Sequence, residues 1–278
     1  MKLLNALLSA AVLSAATLPA LALPVTFNVT VRDFRGGANG HPDFDDNGIN
    51  GVQAGMVQST LDANGKPVYN LGGGNNNASG QISSAASFAS WYRDCNPATP
   101  TLTCVASYVV PITADVDSLT QVLTYTNNFY FPLDSLTNTA VWDVSSAHNY
   151  HFTSELELLL SYNGSVADGV GPKNTFSFTG DDDVWAFING HLVLDLGGIH
   201  GAFNQSFDLD LLAAGLGIAD GDAYSFKLFH AERHTTQSTL NITSALGRPL
   251  NEVPEPASLA LVGLGLLGLA ASRRRKSL

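Results

Sequence analysis

Residues 178–195 read FTGDDDVWAFINGHLVLD, and two apolar runs in this stretch meet at Asn189-Gly190. An Asn-Gly pair between strands favours a type I′ turn, because both residues adopt positive φ at little cost. Both runs are apolar on both faces, which is typical of strands buried inside a protein. We therefore predict a β-hairpin over residues 184–195, placed centrally in a β-sandwich.

Alternation of polar and apolar residues extends this prediction along the chain. Strands are expected at residues 25–31, 107–111, 123–131, 150–162, 174–178, 206–211, 223–229 and 239–243. Residues 36–80 are rich in Gly, Asn and Asp, which predicts long loops. The predicted fold class is all-β, an antiparallel β-sandwich with long loops and few short helices.

A short helix is predicted over residues 83–92, where it would present Phe88, Trp91 and Tyr92. Trp91 and Tyr92 allow two interpretations, because an aromatic ring can pack in the core or stack on a sugar ring.

Three consecutive carboxylates, Asp181, Asp182 and Asp183, directly precede the hairpin. Carboxylates this close repel one another unless a cation neutralises them. Ca²⁺ takes about six to eight oxygen ligands, and adjacent aspartates on a loop supply several of them. The triplet therefore predicts a Ca²⁺ site, and the alternative is a solvated acidic turn.

The first 22 residues predict a secretory signal peptide. Lys2 is followed by a mostly apolar stretch, and Ala20-Leu21-Ala22 places small residues where cleavage requires them. Cleavage is expected after Ala22, which would export the protein.

The C-terminal residues 251–278 hold Pro254-Glu255-Pro256, an apolar run over residues 257–271 and a basic cluster at residues 273–276. This order of elements resembles the PEP-CTERM sorting signal. The resemblance implies processing by an exosortase-type transpeptidase in a Gram-negative bacterium that makes extracellular polysaccharide. The apolar run predicts a short transmembrane helix that tethers the protein to the inner membrane before processing, with the basic cluster on the cytoplasmic side. An ordinary C-terminal anchor is the alternative.

The chain is acidic, with 13 Lys and Arg against 24 Asp and Glu and a net charge of −11. Five of the basic residues lie in the two terminal segments, so the part between them is more acidic still. Such a surface repels nucleic acid and anionic lipid and attracts divalent cations. We therefore expect no nucleic-acid partner.

The two cysteines, Cys95 and Cys104, flank a segment rich in Pro and Thr. Export favours a disulfide between them, which would close this segment as a loop. Two free thiols are the alternative.

Six segments, in order along residues 23–250, resemble the fibro-slime domain. They are His41–Phe44, Gly65–Val68, Trp91–Asp94, His148–Thr153, residues 178–198 and Ala231–His234 with the strand that follows. That family is related to the protective-antigen-type β-sandwich, whose lectin members bind Ca²⁺ through two adjacent Asp joined by a cis peptide bond. The ion in turn coordinates sugar hydroxyls.

The resemblance implies that Asp181 and Asp182 are the adjacent pair, although Asp183 leaves the choice of pair open. A second loop, over residues 232–238, would add ligand contacts, and the candidates there are Glu232, His234 and Thr235. His200 would line a third wall, although a lone histidine is more often structural. Arg233 would contact the ligand or pair with an aspartate.

Three functions follow, in this order. The first is an exported, non-enzymatic surface or biofilm-matrix protein that binds carbohydrate through Ca²⁺ and serves adhesion. The second is a Ca²⁺-stabilised matrix or sheath component without a ligand site. The third is a secreted hydrolase that uses Glu155 and Glu157, which alternate on one predicted strand.

Asp43 begins a stretch that fits half of an EF-hand loop, but Ala54 stands where that loop needs a glutamate.

Overall fold

The computed structural model of the protein describes residues 23–247 except 37–38, 45–50, 71–81, 96–103, 137–143, 146–147 and 165–173. The elements are β1 (Leu23–Phe34), α1 (Ala85–Ala89), β2 (Cys104–Val116), β3 (Leu123–Asn127), β4 (Val144–Ser145), β5 (His148–Asn149), β6 (Phe152–Ser161), β7 (Thr175–Gly180), β8 (Asp183–Ile188), β9 (His191–Leu196), β10 (Phe203–Asp208), α2 (Leu209–Leu212), β11 (Ala223–Glu232) and β12 (Leu240–Ser244).

Ten strands form one antiparallel sheet in the order β10-β7-β12-β3-β2-β1-β6-β11-β8-β9, and β4 pairs with β5. The two halves of this order face each other, because strands from both contribute to one apolar core. Its members include Val31, Phe178, Ala186, Leu228 and Ile242. The two end strands also meet, since the backbone N–H of Asp195 donates to Oε1 of Gln205 at 3.0 Å. The predicted all-β sandwich is therefore confirmed.

The hairpin of β8 and β9 turns at Asn189 and Gly190, whose φ angles of 47° and 78° suit the predicted turn. All six residues of β8 are buried, but β9 ends the strand order, so the central position predicted for the whole hairpin is wrong for β9. A loop runs along the outer edge of β9 instead. The N–H of Leu192 donates to the carbonyl of Ser59 at 2.9 Å, and the N–H of Leu61 donates to that of Gly190 at 2.9 Å.

A second apolar cluster covers the outer face of β8 and β11. The long connection between β1 and β2 folds over Trp185 and Phe229 and brings Trp91 and Tyr92 against them. Trp91 and Tyr92 are fully buried, so core packing is the correct interpretation of this pair. Helix α1 is shorter than predicted and begins after Ser84, whose hydroxyl accepts the N–H of Ser87.

The sandwich has two distinct ends. At the upper end, Leu240 of β12 pairs with Gly180 of β7 and with Asn127 of β3. Glu232, the last residue of β11, lies at the same end, since its neighbour Ala231 pairs with Asp183. At the lower end, Ser244 pairs with the opposite ends of β3 and β7. Strand β12 is thus held on both sides along its whole length.

The predicted signal peptide, the sorting residues Pro254, Glu255 and Pro256 and the tethering helix at residues 257–271 lie outside the described residues. Among the residues that are described, no helix is both long and apolar enough to cross a membrane.

Cys95 and Cys104 form a disulfide, with Cα atoms 5.6 Å apart. Replacing both by alanine is expected to lower the free energy of unfolding by about 2 kcal/mol, because the cross-link restricts the unfolded chain. Urea unfolding of the variant and the native protein measures this loss. The native protein unfolded in a reducing agent should match the variant. Equal stability in all three samples would contradict the prediction.

Candidate functional site

The aspartate triplet joins the end of β7 to the start of β8 at the upper end of the sandwich. Asp182 has a φ of 50°, and the peptide bonds of the triplet are trans, where the lectin resemblance implies a cis bond. Gly180 precedes the triplet, and a Cβ there would lie 2.4 Å from the carbonyl oxygen of Thr239. Glycine therefore allows the loop before β12 to approach the triplet closely.

Asp183 is paired inside the protein. Its Oδ2 accepts Nε–H of Arg233 at 2.6 Å, its Oδ1 accepts the N–H of Gly198 at 2.6 Å, and both charged side chains are fully buried. The Arg233 guanidinium also lies 4.8 Å from the ring centre of Trp91 and donates to the carbonyl of Asp43. Asp183 and Arg233 therefore satisfy each other and join the site to the second apolar cluster.

Asp182 holds the loop that follows β11. Its Oδ2 accepts the backbone N–H of Arg233 at 2.6 Å and that of His234 at 2.8 Å. Burial raises the pKa of Asp182, and the nearby Arg233 charge works in the opposite direction. This carboxylate therefore joins the two loops predicted to form the site, the aspartate triplet and residues 232–238.

Asp181 has one satisfied and one unsatisfied oxygen. Oδ1 accepts the N–H of Thr239, whereas the buried Oδ2 has no hydrogen-bond partner among the described residues. Burial raises the pKa of Asp181 to about 6, with the Asp182 charge acting in the same direction and the Thr239 N–H against it. A buried carboxylate oxygen without a partner is costly, so it marks a place where a further group would bind favourably.

Glu232 presents a second such oxygen. Its Oε2 is buried and has no hydrogen-bond partner in the described part of the chain, while Oε1 accepts the N–H of His234 at 3.4 Å. Burial, followed by the charges of Asp182 and Asp181, raises the pKa of Glu232 well above its usual value. The charges of Asp181 and Asp182 therefore disfavour ionisation of Glu232, and the charge of Asp182 disfavours ionisation of Asp181.

The donor set is suited to a hard cation. Asp181, Asp182 and Glu232 are all carboxylates, the nearest guanidinium is already paired with Asp183, and two of their oxygens are unsatisfied. Within the described residues, no three His, Cys, Asp or Glu side chains already stand in a metal-binding arrangement. These three residues could hold an ion after side-chain adjustment, whereas Asp183 has both oxygens engaged.

The remaining predicted contacts lie around these carboxylates. His200 is buried, with its ring nitrogens 2.9 Å and 3.1 Å from the carbonyls of Gly201 and Leu196, and its own carbonyl accepts the N–H of Asp182. His234 is part-buried, and its Nδ1 lies 2.7 Å from the hydroxyl of Thr236. Thr235 is part-buried in the same loop.

One contact of the site gives no signal in the sequence. The N–H of Thr239 reaches Asp181 from the loop before β12. Every residue except proline has a backbone N–H, so the residue type at position 239 does not predict this hydrogen bond. It follows from the pairing of β7 with β12, which brings Thr239 next to Asp181.

Glu155 and Glu157 are engaged in ion pairs. Buried Glu155 lies 2.9 Å from Arg32 and 2.6 Å from Lys66, and exposed Glu157 lies 3.0 Å from Lys227. The two carboxylates therefore neutralise basic side chains, Glu155 those of Arg32 and Lys66 and Glu157 that of Lys227.

Asp43 is likewise structural. Its carboxylate accepts the backbone N–H of Ser83, the hydroxyl of Ser87 and Nε1–H of Trp91, all within 3.0 Å. These donors use both of its oxygens, which argues against a loop-bound ion at this residue.

Comparison with family models identifies two parts of the chain. The PEP-CTERM protein-sorting motif matches residues 252–276, and the PA14 domain matches residues 168–258. The chain carries a PA14 domain and a PEP-CTERM sorting motif. The PA14 match includes β7 to β12 and hence every residue of the candidate site. The sorting motif implies export and sorting by exosortase. The narrower resemblance to the fibro-slime domain stays a prediction.

Curated relatives of this PA14-containing chain come from Dictyostelium discoideum. Protein psiR is 35% identical over 222 residues, which is 74% of this chain and 20% of psiR. Protein psiD is 35% identical over 208 residues, which is 71% of this chain and 37% of psiD. Protein psiB is 31% identical over 258 residues, which is 88% of this chain and 43% of psiB. The chain thus spans from a fifth to two fifths of these relatives.

Two solved PA14 structures are distantly similar. The crystal structure of the PA14 domain of MpAFP antifreeze protein has 13% identity and a TM-score of 0.28, over 48% of this chain and 66% of that one. The PA14 sugar-binding domain from RTX adhesin has 15% identity and a TM-score of 0.25, over 44% of this chain and 68% of that one.

Proposed function

We propose that this exported protein is a non-enzymatic surface adhesin that binds Ca²⁺ through Asp181, Asp182 and Glu232 and binds a glycan through the ion. The observation that carries the proposal is that buried Oδ2 of Asp181 and Oε2 of Glu232 have no hydrogen-bond partner among the described residues, beside a third carboxylate. The PA14 domain and the sorting motif support an exported adhesion-type protein.

The charge of the site favours a divalent ion. In the described part of the chain, the guanidinium at the triplet belongs to Arg233 and is paired with Asp183, so Asp181, Asp182 and Glu232 lack an equal positive charge nearby. Ca²⁺ would relieve their repulsion and bind the orphaned oxygens. When bound, the ion would supply coordination positions for sugar hydroxyls. The protein's own residues hold the two loops together, mainly through Asp182.

A second candidate is a Ca²⁺-stabilised matrix or sheath component without a ligand site. It is favoured by the burial of the three carboxylates, since Asp181, Asp182 and Glu232 are 3%, 2% and 1% exposed. An ion enclosed at this depth would stabilise the fold without reaching a glycan. A hydrolase is less favoured, because Glu155 and Glu157 are held in ion pairs.

Calorimetric titration of the purified full-length protein with Ca²⁺ tests the ion site. The native protein is expected to bind one ion with a Kd of about 10⁻⁴–10⁻³ M, as extracellular modules often do. The variants Asp181→Asn and Glu232→Gln should each lose this binding. Asp115→Asn is the matched control, because Asp115 is exposed on β2 far from the site. Equal binding by all variants would place the ion elsewhere.

Glycan binding in the presence and absence of a chelator then separates the two candidates. Binding that is lost on chelation supports the adhesin. Ca²⁺ binding without any glycan binding would favour the structural component.

A further inference from the structure

Two exposed phenylalanines flank the carboxylates at the upper end. Phe203 begins β10 and pairs with Gly180, which directly precedes Asp181. Phe129 forms a bridge with Ser238, and the next residue, Thr239, donates its N–H to Asp181. In the strand order β10-β7-β12-β3, Phe203 therefore lies on one side of Asp181 and Phe129 on the other.

Both rings remain in contact with solvent. Phe203 is 52% exposed and Phe129 is 76% exposed, whereas most of the large aromatic residues of the described chain are buried. The backbone that presents Phe129 is fixed, since its N–H donates to Oδ1 of Asn127 and its carbonyl accepts the N–H of Phe131. An exposed aromatic ring on a fixed backbone is a suitable contact for an apolar face of a ligand.

The distance between the two positions indicates the size of that ligand. The row β10-β7-β12-β3 contains three strand spacings, which amount to about 14 Å. Side chains on a sheet stand roughly perpendicular to it, so rings on these strands keep about the spacing of their backbones. At that spacing we expect a ligand longer than one sugar ring to be needed to contact both aromatic residues. A chain of several rings could do so.

The charge of the site indicates the class of sugar. A divalent ion among Asp181, Asp182 and Glu232 leaves a net negative charge, and Arg233 is already paired with Asp183. Among the described residues of the site, an anionic glycan would therefore have the ion as its main positive partner. A neutral sugar, with hydroxyls for the ion and C–H faces for the aromatic rings, avoids this repulsion.

We propose that Phe129 and Phe203 are specificity-determining stacking residues on either side of the ion site, which make it selective for neutral oligosaccharides over monosaccharides. The inference rests on the proposed function, because it assigns the ligand class of the same site. Phe203 and Phe129 would stack on rings that flank the ring held at the ion.

Binding of glucose, mannose and galactose and of their linear di- to tetrasaccharides to the full-length protein, with saturating Ca²⁺, tests this inference. We expect tetrasaccharide binding to weaken about 3–10-fold in Phe129→Ala and in Phe203→Ala, with monosaccharide binding unchanged. Leu211→Ala is the matched control, because Leu211 is 82% exposed on α2, away from the upper end. Calorimetry with Ca²⁺ alone should be unchanged in all three variants.

The outcomes are distinguishable. Ca²⁺-dependent binding that is independent of glycan length, or unchanged by either phenylalanine substitution, overturns this inference and leaves the proposed function standing. A Phe203→Ala variant that only loses thermal stability would show that the ring merely covers Gly180. A native protein that binds Ca²⁺ but none of these sugars overturns the proposed glycan function and the inference together.

Discussion

Replacing Arg233 with methionine is expected to lower the free energy of unfolding by about 3–5 kcal/mol, because it leaves Asp183 buried without its partner. Both side chains are fully buried, and Nε of Arg233 lies 2.6 Å from Oδ2 of Asp183. Methionine preserves much of the apolar contact with Trp91 but no charge or donor. Urea unfolding with linear extrapolation measures the loss.

Arg93→Met is the matched control for this prediction. Arg93 also pairs with an aspartate, Asp62, at 3.0 Å, but it is 46% exposed. An exposed pair contributes at most about 1 kcal/mol. Equal losses in Arg233→Met and Arg93→Met would contradict the assignment of a buried structural pair.

In addition, the double variant Arg233→Met with Asp183→Leu should be more stable than the single Arg233 variant, because no unpaired charge remains.

In the absence of Ca²⁺, ionisation of Asp181 is expected to destabilise the fold by about 2 kcal/mol between pH 4 and pH 7. Burial raises the pKa of this group from 3.8 to about 6, so the folded chain binds the proton more tightly than the unfolded chain. The contribution of Asp181 is therefore most favourable below pH 3.8 and is lost as pH rises through 6. Glu232, whose pKa is also raised by burial, acts in the same direction.

Two buried histidines act in the opposite direction. Burial lowers the pKa of His41 to about 4 and that of His230 to about 3, so their contributions are lost as pH falls below 6.5. The total pH profile therefore mixes both effects, and the informative quantity is the difference between Asp181→Asn and the native protein. This difference should favour the variant increasingly from pH 4 to pH 7, as followed by urea unfolding in chelator.

Saturating Ca²⁺ should largely cancel that difference at pH 7, because the native protein binds the ion and Asp181→Asn does not. At about 100 times its Kd, an ion that binds only the folded state stabilises it by about 2.7 kcal/mol. A difference between native and variant that is independent of pH would contradict the raised pKa of Asp181. A difference that is independent of Ca²⁺ would contradict the ion site.

Local chemistry made much of the fold predictable. The Asn189-Gly190 turn follows from residue identity, and β8 is apolar throughout because both of its faces are buried. Alternation elsewhere indicated the strands but not their neighbours. The position of β9 at the end of the sheet depends on the loop over residues 51–70 that covers its edge, and such a distant contact has no local signal.

The site was predictable in part for the same reason. Three aspartates in sequence pointed to the triplet, and the family resemblance pointed to the pair Asp181 and Asp182 and to Glu232. The role of Asp183 depends on Arg233, 50 residues away, and only the pairing of β8 with β11 brings them together. Trp91 and Tyr92 were ambiguous because residue type does not reveal whether a loop folds inward. The structure buries both of them.

The position of β12 determines how the protein would carry a mechanical load. Force on a ligand held by Glu232 would enter the chain through residues 233–239, and force on the chain beyond Ser244 would act at the lower end. In the described chain, β12 is the element between these points, and its hydrogen bonds to β3 and β7 run perpendicular to the pull. The strand would therefore be loaded in shear, where its hydrogen bonds on both sides must break together.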